Sequence, residues 1–300
     1  MQYLNHLEAL CKQVGADFVE EEPLSAHTTF RVGGACRAFI TVPDADSCYR
    51  LRQFLLEAQL PHRFIGRGSN LIVSDNGFDG VVLMLSSVPQ ISTAEDGSCT
   101  AWAGTSLKAF CNAALSASLT GLEFAYGIPG TVGGAVYMNA GAYGGEMAQI
   151  VTQAEVLDPN NVRCIIKAED LALSYRHSCF MEQDAVILYV TVQLKPGDPL
   201  QIKQQMEELM RKRQEKQPLE YPSAGSTFKR PEGSYASLLI DECGLKGFTV
   251  GGAQVSEKHA GFVINRGNAT CADILSLCEQ VREIVYRQTG YTLALEPELL

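Results

Sequence analysis

Several short stretches of this chain carry side chains able to do chemistry. Tyr221-Pro-Ser-Ala-Gly-Ser-Thr-Phe-Lys-Arg-Pro231 places Ser226, Lys229 and Arg230 close together in a turn bounded by prolines. The net charge is −10, so an anionic ligand needs such a local cationic cluster to overcome the diffuse field. Ser174-Tyr-Arg-His-Ser178 is a polar cluster after an apolar stretch, and Arg176 within it reads either as a site residue or as an ordinary surface arginine. Gln254–Gly261 is a polar loop containing His259. The terminal Glu296-Pro-Glu298 offers two carboxylates, each also readable as surface charge.

Two glycine-rich stretches carry a different chemistry. Gly121–Glu146 holds eight glycines in 26 residues, and its only charged residues are Glu123 and Glu146. Such density points to a backbone that turns tightly or touches something closely. Without Lys or Arg, an anion here would be held by backbone N–H groups. Pro129 stiffens the loop, and Tyr126, Val132, Val136 and Met138 supply flat or apolar contacts. A planar, phosphorylated cofactor fits that mixture, and a connector with turns and helix caps fits it too. The second stretch, Gly66-Arg-Gly-Ser-Asn70, begins like a dinucleotide fingerprint, but Leu71 stands where the third glycine belongs and opens another strand. What remains is a strand–turn–strand with Ser69 and Asn70 at its tip, either a phosphate loop or a plain β-turn.

The elements that position these residues follow from periodicity. Leu4, Leu7, Leu10, Cys11 and Val14 predict a helix within 1–22, followed by an acidic turn. His27–Gly34 reads as strand-like and Arg37–Val42 as a strand. Asp44 starts a helix carrying Cys48, Leu51, Phe54, Leu55 and Ala58, which Pro61 ends. Strands are expected at His62–Ile65, Leu71–Val73, Val81–Leu85 and Thr100–Ala103, then a helix over 106–119. After the glycine loop come strands at Ile150–Leu157, Arg163–Ile166 and Val186–Leu194. Lys195-Pro-Gly-Asp-Pro199 reads as a domain boundary. Beyond it lie an amphipathic helix ending near Gln217, a helix with Ala236, Leu239 and Ile240, and a strand at Phe262–Asn265. Thr270 with Asp273 caps a last long helix.

Hydrophobic content of 46% with 19% charged residues is that of a globular enzyme. The acidic balance argues against general nucleic-acid or membrane-surface binding. The N-terminus lacks the pattern of a signal peptide, and no run of 18 apolar residues exists. Ten scattered cysteines without a C-x-x-C pair read as reduced thiols of a cytoplasmic protein, and neither they nor the five histidines show metal-ligand spacing.

Taken in order, Thr29-Phe-Arg-Val-Gly-Gly34, Gly66-Arg-Gly-Ser-Asn70, Gly127-Ile-Pro-Gly-Thr-Val-Gly-Gly134, Met138-Asn-Ala-Gly-Ala-Tyr-Gly-Gly-Glu146, Tyr175-Arg-x-Ser178, Ser223–Pro231, Gly244-Leu-Lys-Gly247, Val255–Phe262 and Glu296-Pro-Glu298 resemble the bacterial UDP-N-acetylenolpyruvoylglucosamine reductases. The resemblance runs from about residue 25 to the end and is similar to the short-form branch. It implies an α+β protein: an FAD-binding fold of the vanillyl-alcohol-oxidase (PCMH) type in two α+β lobes over 1–196, with a break near 60–66, and a C-terminal α+β substrate-binding domain over 197–300.

The same resemblance implies non-covalent FAD, with no histidine inside Gly66–Asn70 although His62 is near, and NADPH as co-substrate. Cofactor binding would fall to Gly66, Arg67, Gly68, Ser69, Asn70, Gly127, Ile128, Pro129, Gly130, Thr131, Gly133, Gly134, Asn139, Ala140 and Gly141. The implied reaction reduces a UDP-sugar enolpyruvyl ether by hydride relay from NADPH through FAD. Arg176 would bind the substrate carboxylate, Ser226 would donate the proton with charge compensation from Lys229, and Glu298 would assist. Tyr175, Lys229, Arg230 and His259 would bind substrate. The protein is expected to be a cytoplasmic monomer without a metal, a nucleic-acid partner or a membrane. Another FAD oxidoreductase or oxidase of the same superfamily is the alternative. The chain stops two residues past Glu298, which is expected to loosen that carboxylate.

Overall fold

A computed structural model describes residues 2–300. The chain opens with α1 (Gln2–Val14), β1 (Asp17–Pro23), β2 (Ala35–Val42), α2 (Ala45–Glu57), β3 (His62–Ile65), β4 (Leu71–Ile72) and β5 (Phe78–Leu85). It continues through β6 (Ile91–Thr93), β7 (Ser98–Trp102), α3 (Leu107–Ser116), β8 (Leu119–Thr120), α4 (Val132–Tyr137), β9 (Gly141–Ala142) and β10 (Gly145–Glu146). Next come β11 (Val151–Leu157), β12 (Arg163–Lys167), β13 (Val186–Gln193), β14 (Lys195–Pro196) and α5 (Pro199–Lys216). The last stretch holds α6 (Ala236–Glu242), β15 (Thr249–Val250), β16 (Ala253–Val255), β17 (Val263–Asn265), α7 (Cys271–Thr289) and β18 (Glu298–Leu299).

Local signals account for several helix ends. Asp44, Ser106 and Thr270 each accept a backbone N–H three residues on, at α2, α3 and α7. At α7 Asp273 completes a capping box, and Gly290 at φ +77° closes the helix. Three expectations fail. The acidic run Glu20–Glu22 lies in β1 rather than in a turn, and His27–Gly34 forms no strand, with Arg31 at φ +57° interrupting it. The glycine loop is not wholly loop, because Thr131 Oγ1 accepts from Gly134 N at 3.2 Å and starts α4. The absence of a side chain at Gly133 lets that helix lie close to Ala103.

The chain divides into two compact units. The first comprises 1–20, 38–67 and 80–212. Its main sheet has the order β12-β11-β13-β7-β6, antiparallel throughout. A four-stranded sheet, β1-β2-β5-β3, pairs β3 parallel with β5. The core gathers Ile40, Val42, Leu83, Trp102, Phe110, Val136 and Val190, all buried. Arg52 is fully buried in it, donating to the carbonyls of Asp158 and Asp184 at 2.5 and 2.6 Å. Ile202 and Met206 of α5 belong to this core, and the first unit runs to Lys212.

The second unit comprises 21–37, 68–79 and 213–300. Its core is built on α6 and α7 against β15-β16-β17, with Leu239, Ile240, Ile274, Leu277 and Val281 buried. Phe30, Val32 and Ile72, from far upstream, are buried in the same core. A boundary read from one linker cannot show this contribution, because it comes from segments that leave and re-enter the first unit.

Candidate functional site

The candidate residues fall in two sets, one in each unit. In the first, the ends of both glycine stretches converge. Gly66 follows β3, and a Cβ there would lie 2.9 Å from Thr131 Oγ1. The loop before Thr131 is folded by its own main chain: Ile128 N donates to Ala125 O at 3.0 Å and Gly130 N to Ile128 O at 2.9 Å. Leu107 N donates to Gly130 O and Val132 N to Thr105 O, tying the loop to the start of α3. Gly133 packs flat on β7's end, where a Cβ would come within 2.8 Å of Ala103 Cβ. Thr105 is fully buried beside this loop and its hydroxyl has no partner. Pro129 and Gly134 are exposed, Gly127, Ile128 and Gly130 half-buried.

An uncharged surface of glycine backbone and hydroxyls suits a diphosphate and a planar ring system, because N–H groups bind phosphate oxygens without a cation. Gly66, Gly127–Thr131 and Gly134 therefore fit FAD, with Arg67 the exposed cation nearby in sequence. His62, the alternative for a covalent link, shares its Nδ1 with Leu60 O at 2.9 Å, and its Nε2 is buried without a partner.

The second half of the glycine stretch is bonded to the turn that carries Arg176. Ser174 and His177 exchange N–H···O bonds of 3.1 Å, making a tight turn with Tyr175 and Arg176 at its tip. Arg176 has φ +54° and its guanidinium lies 5.2 Å from the Tyr175 ring centre. Asn139, fully buried, donates through Nδ2 to Ser174 O at 2.9 Å and accepts Ala148 N at Oδ1, also 2.9 Å. Ser178 Oγ donates to Tyr137 O at 2.6 Å. Ala140 N donates to Ala135 O, and Gly141 opens the small hairpin β9–β10.

In the second unit, the segments carrying Gly68–Asn70, Ser226–Lys229 and Glu298 are linked by hydrogen bonds. Gly68 has φ +60°, and a Cβ there would run into the His27 carbonyl. Thr29 bridges this loop to the Ser226 segment: its N donates to Gly68 O at 3.2 Å and its Oγ1 to Ser223 O at 2.7 Å. Asn70 Nδ2 donates to Glu296 O at 3.2 Å, and Asn70 O accepts Glu298 N at 2.9 Å. Thr227, buried, accepts Glu296 N at its carbonyl and Val263 N at Oγ1. Lys229 N donates to Ala294 O at 2.8 Å.

The expectation that Glu298 is loosened does not hold. β18 pairs parallel with β4, and Leu300 is bonded both ways, to Ser74 N and to Ile72 O.

His259 lies against an open groove of about 400 Å³ with Tyr235, Asp241, Lys246 and Lys258. Its Nδ1 accepts Gly261 N at 3.1 Å, and burial holds its pKa below the usual value, with Lys246 pushing the same way. Arg230 is exposed and lies over the Tyr235 ring at 5.1 Å. Gly261 O accepts Thr227 N, so the His259 loop borders the Ser226 segment.

Residue-type reasoning missed Thr29, Ser178 and the bracing role of Asn139. Thr29 and Ser178 both stood inside motifs, but their bonds reach carbonyls distant in sequence, which no local pattern announces.

Comparison with known proteins agrees with this layout. The family described as "UDP-N-acetylenolpyruvoylglucosamine reductase, C-terminal domain" matches residues 217–300, and "FAD binding domain" matches residues 36–163. The mixed α+β fold with an FAD binding domain expected from the sequence therefore stands. A UDP-N-acetylenolpyruvoylglucosamine reductase of Caldanaerobacter subterraneus is 46% identical over 279 residues, covering 93% of this chain and 92% of the relative. One from Clostridium botulinum is 44% identical across 100% of this chain and 98% of its own. The crystal structure of UDP-N-acetylenolpyruvylglucosamine reductase from Thermus caldophilus superposes with a TM-score of 0.80 at 35% identity, covering 95% of this chain and 98% of that one.

Proposed function

Because the chain belongs to the UDP-N-acetylenolpyruvoylglucosamine reductase family, we propose that it reduces the enolpyruvyl ether of UDP-N-acetylglucosamine to UDP-N-acetylmuramate, a peptidoglycan precursor, at the expense of NADPH. The observation that carries the residue-level reading is the chain of hydrogen bonds running from the Ser226 segment through Thr227 and Glu296 to Asn70 and Glu298. Bound FAD supplies a two-electron carrier between NADPH and the substrate.

The chain's own residues then have three tasks. Arg176 pairs its planar guanidinium with the substrate carboxylate and stabilises the enolate-like charge that grows there. Ser226 delivers a proton from its hydroxyl to the carbon bearing the ether oxygen, while the vinyl terminus receives the hydride. Lys229 offsets the charge left on the serine, and Glu298 polarises the carboxylate or relays the proton. Lys229, Arg230 and His259 hold the nucleotide-sugar diphosphate, and Tyr175 also binds substrate. Gly66–Asn70, Gly127–Thr131, Gly133, Gly134, Ala140 and Gly141 carry the cofactor. Of the substrate residues, Tyr175 and Arg176 belong to the first unit and Ser226, Lys229, Arg230, His259 and Glu298 to the second. Ten free thiols suit a cytoplasmic setting.

The purified protein is expected to show flavin absorbance that NADPH bleaches without oxygen and the enol ether restores. Ser226→Ala should leave bleaching nearly intact and slow restoration by about 10²-fold or more. Equal loss of both half-reactions would remove Ser226 from the proton step, and colour restored only by oxygen would favour an oxidase instead.

A further inference from the structure

Arg176 is held in a conformation it would not choose. A non-glycine residue at φ +54° sits in the sparsely populated left-handed region, which is strained and persists only where surroundings over-determine it. Ala172, four residues earlier, is also left-handed at φ +49°, and so is Asn139 at φ +41°. Three such residues around one turn need an external brace.

The brace is identifiable. Asn139 Nδ2 donates to Ser174 O, the residue that opens the Arg176 turn, and Oδ1 accepts Ala148 N. The amide thus bridges two segments with both of its ends, fully shielded from water. On the turn's other side, Ser178 Oγ donates to Tyr137 O, two residues before Asn139. The turn's own cross-bond links Ser174 and His177 between these two anchors.

We infer that Asn139 is a positioning residue for Arg176: it fixes the turn that aims the guanidinium, and does not bind the cofactor itself. This rests on the reading of Arg176 given above. The geometry agrees: the Oδ1 and one Nδ2 N–H already serve backbone groups, and the side chain is fully buried. The position admits little else. Leucine would leave the Ser174 carbonyl and Ala148 N–H without these partners, and aspartate would set an anion against the carbonyl.

Asn139→Asp is close to isosteric and keeps the acceptor for Ala148 N while losing the donor to Ser174 O. FAD affinity of the apoprotein, read by fluorescence titration, is expected to stay within about threefold of the parent. NADPH bleaching should also persist. Restoration of the flavin by the enol ether should slow by about 10²-fold, the scale of an ångström-level misplacement. The decisive comparison is Arg176→Ala with and without Asn139→Asp. The double variant should be no slower than Arg176→Ala alone, because a residue acting only through Arg176 has nothing left to position.

Multiplying losses in the double variant, or a large drop in FAD affinity, would overturn the inference. If Arg176→Ala itself leaves restoration unchanged, the Arg176 reading fails instead, and the two failures are distinct. Should Asn139→Asp not fold, Ser178→Ala removes the opposite anchor. The same non-additivity with Arg176→Ala is then expected, and its absence would refute the brace.

Discussion

Single side chains in this protein are governed by what burial does to their protonation. Cys11, Cys48, Cys111 and Cys278 have thiols pushed up to about 12, in each case chiefly by burial. At pH 8 an exposed-thiol reagent should therefore label Cys164, the exposed one, first, and the half-buried Cys243 more slowly. The four deep thiols should react only after unfolding, as mass spectrometry of the labelled chain would show. The same shifts set the alkaline limit. Unfolded thiols ionise near pH 9 while their folded counterparts hold protons to about 12, so stability should fall as pH rises through that window. His259 acts in the other direction. Its depressed pKa favours the folded state above the usual histidine range, and that contribution is lost as the solution is acidified.

At the scale of elements, the long helix α7 is capped twice at its N-terminus. Thr270 and Asp273 form the capping box, and Asp75, from an upstream loop, accepts Cys271 N at 2.7 Å and Ala272 N at 3.0 Å. The local cap was legible in the sequence, since Thr and Asp stand three apart before an apolar run. The second was not, because Asp75 is almost two hundred residues away. Thr270→Ala should cost about 1 kcal/mol. Asp75→Ala should cost at least as much, because it removes the carboxylate from two backbone donors. Urea unfolding of both variants measures the difference. A neutral Asp75→Ala would mean that water replaces the carboxylate without loss.

The whole molecule is two cores threaded by one chain. Residues 213–300 lack Phe30, Val32 and Ile72, which are buried in their own core, and lack the β4 partner of β18. Expressed alone, this fragment is expected to show no cooperative thermal transition by circular dichroism. A sharp transition would show that the upstream segments decorate the core and do not complete it.

Much of this architecture was written in local pattern. The caps at Asp44, Ser106 and Thr270, the apolar periodicity of α2 and α7, and the order of the glycine and polar motifs need only neighbours along the chain, and neighbours are what a sequence displays. Family membership followed from those motifs standing in register. Tertiary structure decided the rest. It put α5 into the first core, because Ile202 and Met206 find their apolar partners there and not beyond the Lys195–Pro199 linker. It turned part of the glycine loop into a helix through Thr131, held Glu298 by a strand pairing with Leu71, and gave Asn139 the Ser174 carbonyl to hold. Each of these depends on which distant surfaces meet, and the free energy of such a meeting belongs to both partners, so neither segment carries it alone.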